Sequence, residues 1–254
     1  MASGSVIQTA RARMNAYVAQ WIGTRAHQED SYLVRHFPTG TLAVVCDGMG
    51  GHQCGDVAAA AAAQAFVEDF AGANDLPVRE RLLRALDAAN KAVGSIFSQK
   101  GEDAYGGCTL LGVFIGGGVL RWVSVGDSPL MLWRRGHLLF LNEEHSMRSL
   151  YRQYGQFNAE EETLGHVLRS AVTGEPIPLV DAPQMPFPLI PGDRIILASD
   201  GVEHVLRPGM APAAVKLVMQ PSGSHNPATA LVEACRAAAG SSADNVTVVT
   251  LDVE

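Results

Sequence analysis

The sequence has few cysteines, and no two of them stand close together. Its 254 residues include four, none of which forms a CxxC pair. A secreted domain held by disulfides needs a denser set, so the chain is better suited to a reducing compartment. No GxSxG motif and no cysteine–histidine nucleophile pattern is evident. These absences argue against a disulfide framework and against a covalent protein nucleophile.

Long apolar runs and positive charge are scarce as well. No apolar run approaches the roughly 18 residues of a membrane-spanning helix, and no apolar stretch typical of a signal peptide follows the first residues. The formal net charge is −7, whereas non-specific binding to nucleic acid or anionic lipid needs a basic surface. We therefore predict a cytoplasmic protein with no nucleic-acid or membrane partner, and a disordered lead-in over residues 1–11.

What the chain does contain is ample core material. Hydrophobic residues make up 47% of it, enough for one large domain over residues 12–254. Helical spacing is found at 54–70 and 76–97, and one or two further helices are predicted within 211–239. Strand-like runs occur at 16–21, 31–37, 41–46, 108–115, 119–125, 129–135, 137–141, 193–199 and 245–253. Because their separators are often of hairpin length, we predict an α+β fold with two antiparallel sheets flanked by helices, an αββα sandwich.

The glycine-rich stretch VVCDGMGGHQCGD looks like a phosphate-binding loop but fails both standard patterns. The dinucleotide fingerprint GxGxxG would need glycine where Gln53 stands. The GxxxxGK[ST] loop would need lysine where Asp56 stands, so the electrostatics are reversed. The loop is therefore not a bare phosphate cradle.

Carboxylates stand repeatedly at the ends of predicted strands. They are Glu29, Asp30, Asp47, Asp127, Asp200 and Asp244. If they meet at one rim of a sandwich, they repel one another unless divalent cations neutralise them. An all-oxygen ligand set favours Mg²⁺ or Mn²⁺, whereas zinc prefers histidine and cysteine.

Six motifs follow one another between residues 25 and 249, within a match that extends over 17–253. They are RAHQED (25–30), DGMGGH (47–52), GGCTLLG (106–112), VGDS (125–128), ASDGV (198–202) and ADNVTVV (243–249). In this combination and order the sequence resembles the protein phosphatase 2C-like (PPM) family in its bacterial form. The resemblance implies an αββα sandwich and a signalling enzyme, a metal-dependent serine/threonine protein phosphatase.

The resemblance also implies roles for individual residues. One metal ion would be held by Glu29, Asp47 and the Gly48 carbonyl, and the other by Asp47, Asp200 and Asp244. Asp127 and Asp200 match ligands of a third, weaker ion. Arg25 matches the arginine that binds the substrate phosphate, so Arg25 and Asp47 are the catalytic candidates. Residues 145–167 fall where bacterial members carry a mobile flap.

The implied chemistry needs no protein nucleophile. Two cations about 3.5–4 Å apart share a water, lower its pKa and direct it in line at phosphorus, while they and Arg25 offset charge on the equatorial oxygens. Met49 stands where animal members carry a histidine proposed as general acid, which leaves His52 or metal-bound water as the candidate proton donor. His204 stands where the family often has a further aspartate for the third ion, so that ion stays open.

Three functions fit these residues. The first is hydrolysis of phosphoserine and phosphothreonine on proteins, reversing a serine/threonine kinase, by a monomer that uses Mn²⁺ or Mg²⁺. The second is a catalytically inactive module that binds phosphoproteins. The third is a hydrolase of small phosphoesters.

Overall fold

Two antiparallel sheets lie face to face in the computed structural model, which describes residues 14–50, 54–100, 105–154, 164–206, 219 and 226–254. The first sheet has, in spatial order, β1 (Met14–Trp21), β11 (Val246–Val253), β10 (Arg194–Ala198), β7 (Leu130–Arg134) and β8 (His137–Phe140). The second has β2 (Asp30–Phe37), β3 (Gly40–Met49), β5 (Leu110–Gly116), β6 (Val119–Val125) and β9 (Phe187–Pro188), and the short β4 (Gly107–Cys108) pairs with β3.

Helices cover the outer face of each sheet. The helices of the described residues are α1 (Gly55–Gly72), α2 (Val78–Lys100), α3 (Met147–Tyr154) and α4 (Pro227–Ala238), with a 3₁₀ helix over Asp200–His204. Helices α1 and α2 pack on the second sheet, and α4 packs on the first. The predicted αββα sandwich is confirmed.

Strand β3 shows how the sequence builds these layers. Successive side chains of a strand point to opposite faces. Val44 and Cys46 therefore join the core beneath the helices, while Ala43 and Val45 join the core between the sheets. Since both faces are buried, the run LAVVC is apolar without alternation, as a central strand requires.

The predicted hairpins are present. The turn between β5 and β6 has φ of 62° at Gly117 and 75° at Gly118, and the turn between β7 and β8 has 51° at Arg135 and 83° at Gly136. Two successive positive φ angles are typical of the type I′ turn, whose twist matches that of paired strands. The GGG and RG separators therefore predicted antiparallel pairing correctly.

Helix α3 lies in the polar segment 142–175, which has no clear strand period in the sequence, and no helix was predicted at its position. The helical prediction for 211–239 is confirmed for α4, whereas most of 211–225 lies outside the described residues, as does the predicted lead-in 1–11. In the part of the chain that the structure describes, no helix has the length and apolar character needed to cross a bilayer.

Candidate functional site

A cleft of about 850 Å³ opens where strand ends of the two sheets meet. All the residues that the resemblance implicates in metal or phosphate binding, apart from the His52 alternative, line it. They are Arg25, Glu29, Asp47, Gly48, Asp127, Asp200 and Asp244. The structure thus brings together residues that are up to 219 positions apart in the sequence, as the pair formed by Arg25 and Asp244 illustrates. Their roles as ligands stay predictions.

The cleft takes its ligand candidates from both sheets. Asp47 lies near the end of β3, and the register places it opposite Asp30 at the start of β2. Asp200 begins the 3₁₀ helix that follows β10, and Asp244 comes just before β11. Because β10 and β11 are neighbours, the last two carboxylates come from the first sheet, and a bridging role for Asp47 would join the two sheets.

Two glycines allow the backbone segments of the site to approach closely. A Cβ atom on Gly48 would lie 2.3 Å from the Gly55 carbonyl oxygen and 2.5 Å from that of Glu29. A Cβ atom on Gly201 would lie 2.1 Å from the Asn245 carbonyl oxygen. Any larger residue would therefore push apart the segments that carry the carboxylates.

Thr109 and Asn245 hold candidate ligands in place. The Thr109 N–H donates to the Asp47 carbonyl (2.8 Å), and its hydroxyl accepts from the Asp47 N–H (3.0 Å). The Asn245 side-chain oxygen accepts from the Glu29 N–H (2.7 Å), while its amide donates to the Ile22 carbonyl (2.8 Å). Both residues lie within the quoted motifs, but the sequence indicates no role for them. A hydrogen bond to a distant backbone group leaves no pattern in the sequence.

Asp30 is a buried carboxylate next to the ligand candidates, and its hydrogen bonds connect β2 with residues of β11 and of the end of β10. Its Oδ2 accepts hydrogen bonds from the hydroxyls of Ser199 (2.7 Å) and Thr247 (2.7 Å). The Ser199 hydroxyl in turn accepts from the Thr247 N–H (2.9 Å). Burial raises the pKa of Asp30 to about 6. From the sequence, Asp30 is one of the strand-end carboxylates. Only the structure shows that its oxygen faces inward to β10 and β11.

We expect Asp30→Ala to lower the free energy of unfolding by about 2–4 kcal/mol, because two buried hydroxyls lose their acceptor. Asp30→Asn should cost much less, since its carbonyl oxygen can still accept from Ser199 and Thr247. Urea denaturation of the metal-free protein measures both. Equal stability of the alanine variant and the wild type would contradict this role.

Burial and mutual repulsion make the carboxylates of the cleft costly to charge. Burial, followed by repulsion from Asp200, raises the pKa of Asp47 well above its usual range. The same causes, with Asp127 as the first repelling neighbour, raise the pKa of Asp200. Burial and then repulsion from Glu203 and Glu144 raise the pKa of Asp127 to about 7. A divalent cation would reverse these shifts by favouring the charged form.

The donor set fits hard divalent cations, although the carboxylates do not already form a cage. Among the described residues, no group of three or more His, Cys, Asp or Glu side chains has the spacing of a metal cluster. Asp244 instead pairs with the Arg25 guanidinium at 2.6 Å, and both side chains are about half exposed, at 41% and 56%. An ion pair this exposed contributes only about 0–1 kcal/mol to the stability of the folded protein. A cation could therefore replace the guanidinium at Asp244 with a small side-chain movement.

Helix α3 and residues 164–170 lie beside the cleft, in the segment predicted as a flap. Arg148 of α3 is buried and forms an ion pair with Glu203 of the 3₁₀ helix. It also contacts the His166 ring at about 3.0 Å. The pair connects the flap segment to the helix that Asp200 begins. Residues 155–163 of the predicted flap lie outside the described residues.

The histidines considered for proton transfer and for third-ion binding have the same outcome. His52 lies outside the described residues, as does the side chain of His204. Met49 lines the cleft, and its thioether cannot donate a proton. The identity of the general acid therefore stays a prediction.

The chain is similar in sequence to known protein phosphatases. The family model described as protein phosphatase 2C matches residues 20–236. The serine/threonine protein phosphatase PstP of Mycobacterium tuberculosis is 31% identical over 240 residues, which cover 90% of this chain and 43% of that protein. The chain thus spans less than half the length of this curated relative.

Solved structures agree with this similarity. The PPM Ser-Thr phosphatase MsPP from Mycobacterium smegmatis, in complex with cacodylate, has a TM-score of 0.75 and 29% identity over 94% of this chain and 98% of that chain. The catalytic domain of the serine threonine protein phosphatase PstP, in complex with two manganese ions, has a TM-score of 0.74 and 28% identity over the same shares. The likeness extends over nearly the whole chain and includes a relative with two bound metal ions.

Proposed function

Because the chain belongs to the protein phosphatase 2C family, we propose that it hydrolyses phosphoserine and phosphothreonine esters on proteins with two bound divalent cations, Mn²⁺ or Mg²⁺. Its partners would be phosphorylated proteins, and it would act as a monomer that reverses a serine/threonine kinase. The observation that carries the proposal is the meeting of Glu29, Asp47, Asp200 and Asp244 in one cleft with Arg25.

The carboxylates provide two overlapping ligand sets. Glu29, Asp47 and the Gly48 carbonyl would hold one ion, and Asp47, Asp200 and Asp244 would hold the other. When bound, the cations would supply an activated water as nucleophile and neutralise the clustered charge. Thr109 and Asn245 contribute by holding the backbones of Asp47 and Glu29. Asp127, with Asp200, remains the proposed ligand of a third ion.

Arg25 is the proposed phosphate-binding side chain. Its guanidinium lies at the cleft, on the Asp244 carboxylate, and is 56% exposed. If Asp244 held a cation instead, the Arg25 Nη2 group that now donates to it would be available, and one edge of the guanidinium could donate to two oxygens of a phosphate ester. Those bonds would orient the ester and offset the charge that grows on its oxygens during transfer.

We expect Arg25→Ala to lower kcat/KM for a phosphothreonine peptide by about 10- to 100-fold, the scale of a lost charge-assisted contact to phosphate. Arg25→Lys should recover only part of the loss, because an ammonium cannot form the paired geometry. Steady-state phosphate release measures both effects. Arg236→Ala, which removes an exposed arginine on α4, serves as the matched control, and a loss of the same size there would contradict a specific role for Arg25.

Phosphate release from a phosphothreonine peptide, with Mn²⁺ and with excess EDTA, tests the proposed function. Turnover that needs Mn²⁺ supports it, and robust turnover in EDTA would disprove the metal mechanism. A binding module would capture the phosphopeptide without turnover under any metal. A small-phosphoester hydrolase would show much higher kcat/KM on phosphorylated metabolites than on the peptide.

A further inference from the structure

A second groove, of about 790 Å³, lies next to the catalytic cleft and has no role in the proposed reaction. We call it the α2 groove. Helix α2 forms one wall through Gly94, Ser95 and Phe97, and the opposite side is formed by Tyr105 and by residues 173–175. Its position and composition point to a ligand that also reaches the cleft.

The α2 groove and the cleft share a wall. Met49, Gly50 and Thr173 line both cavities. This wall is built from paired backbone, since Met49 is in register with Gly107 of β4 and Cys108 is bridged to Val172. A chain lying across the wall would therefore run from one cavity directly into the other.

The interior of the α2 groove is suited to an apolar side chain. Phe97 is almost buried at its base, whereas Tyr105 is 77% exposed although it is a large aromatic residue. The hydroxyls of Ser95 and Ser98 donate to carbonyls of their own helix, so they do not compete for a polar ligand. Among the described lining residues, Lys91 and Glu175 are charged, and Lys91 already pairs with Asp87. The groove thus keeps an apolar interior with few free polar groups, as is typical of ligand pockets.

The turn that closes the α2 groove is held firmly. The Asn90 side-chain oxygen accepts from the N–H groups of Thr173 (3.2 Å) and Gly174 (2.9 Å). Its amide donates to the Glu175 carbonyl (2.8 Å). This side of the groove is therefore preformed and needs no ordering when a ligand binds, which lowers the entropic cost of binding.

We propose that the α2 groove binds the residues of the substrate protein that flank the phosphorylated side chain, and that it selects for an apolar residue there. This inference rests on the proposed function. A phosphoresidue in the cleft carries polypeptide on both sides, and an extended chain advances about 3.3 Å per residue. Residues two or three positions away thus lie roughly 7–10 Å from it, within reach of the neighbouring groove. Tyr105 and Phe97 would pack on the apolar side chain.

Two phosphothreonine peptides that differ only in having leucines or glycines around the phosphoresidue test this proposal, with p-nitrophenyl phosphate as a substrate that has no flanking residues. We expect wild-type protein with Mn²⁺ to prefer the leucine peptide about tenfold in kcat/KM, which is the scale of one partly buried aliphatic side chain. Tyr105→Ala should remove that preference, and Ser95→Trp, which fills the groove, should remove it as well. In both variants, kcat/KM for p-nitrophenyl phosphate should change by less than about twofold. Met185→Ala, at a residue 78% exposed that does not line the groove, should leave all three substrates unaffected.

Equal turnover of the two peptides by the wild type, or an unchanged preference in Tyr105→Ala and Ser95→Trp, would overturn the proposal and leave the α2 groove to another occupant. A parallel loss on p-nitrophenyl phosphate would also overturn it, because the change would then lie in the catalytic centre. If the wild type hydrolyses none of the substrates, the proposed function fails, and fluorescence anisotropy with the two labelled peptides decides the groove separately. Weaker binding of the leucine peptide by Tyr105→Ala would then support it, and equal binding would reject it.

Discussion

Asp200→Asn is expected to reduce Mn²⁺-dependent phosphopeptide hydrolysis by roughly 10³-fold or more, because it removes a proposed ligand of the cations that would stabilise transition-state charge. Asp200 lies in the cleft with Asp47 and Asp244, at the first position of the 3₁₀ helix. Phosphate release under saturating Mn²⁺ measures the loss. Wild-type activity in this variant would remove Asp200 from the mechanism.

The same substitution should stabilise the metal-free protein, which separates loss of function from loss of fold. Burial and neighbouring carboxylates raise the pKa of Asp200 well above its usual range. Above its unfolded pKa, the folded protein must therefore either keep a disfavoured charge or bind a proton that the unfolded chain lacks, and both reduce stability. We expect asparagine to raise the free energy of unfolding by about 1–2 kcal/mol in EDTA.

Asp87→Asn is the matched control for both measurements. It makes the same chemical change on an exposed face of α2, where Asp87 pairs only with Lys91 in a solvated i,i+4 ion pair. Such a pair contributes about 0.3–0.5 kcal/mol, so activity and stability should stay close to wild type. An inactive Asp87→Asn variant would show that loss of activity does not report on the cleft.

Mn²⁺ is expected to raise the thermal unfolding midpoint of the wild type by roughly 5–10 °C at a hundredfold excess over its dissociation constant. Binding at that excess raises the free energy of unfolding by about 2.7 kcal/mol. Each 1 kcal/mol shifts the unfolding midpoint of a domain of this size by about 2–4 °C. The physical source is the neutralisation of Asp47 and its neighbours, whose charged forms are disfavoured without a cation. Excess EDTA should abolish both the shift and the phosphatase activity.

Asp47→Asn tests whether this stabilisation comes from the proposed centre. As the residue that would bridge the two ions, Asp47 is the candidate whose loss should affect both of them. Differential scanning fluorimetry with and without Mn²⁺ should therefore show little or no shift in the variant. A full wild-type shift in Asp47→Asn would place the stabilising ions elsewhere.

Sequence patterns were sufficient for the sandwich and for the location of the carboxylates. The strand-like runs, the hairpin glycines and the alanine-rich α1 each report a local preference, and local preference is what a linear pattern contains. Asp47, Asp200 and Asp244 each lie within two residues of a strand end. Asp200 and Asp244 meet because β10 and β11 are neighbours in one sheet, whereas Asp47 belongs to the other sheet and joins them only when the two sheets pack together.

The residues that position the site could not be predicted in the same way. Asp30 is one position from the ligand candidate Glu29, yet its carboxylate faces inward to Ser199 and Thr247. Arg148, in a segment without a strand period, reaches Glu203 across 55 positions. Such contacts depend on which distant backbone lies opposite, and neither residue type nor spacing encodes that.

The sequence by itself determined the fold class, the resemblance to a phosphatase family and the set of candidate oxygen ligands. Only the tertiary structure decided which carboxylate is buried as a structural acceptor, that Arg25 lies on Asp244, and that a second groove continues from the cleft across Met49 and Thr173. The physical reason is that hydrogen bonds and burial depend on the distance between segments far apart in the chain. Those distances are set when the two sheets pack together.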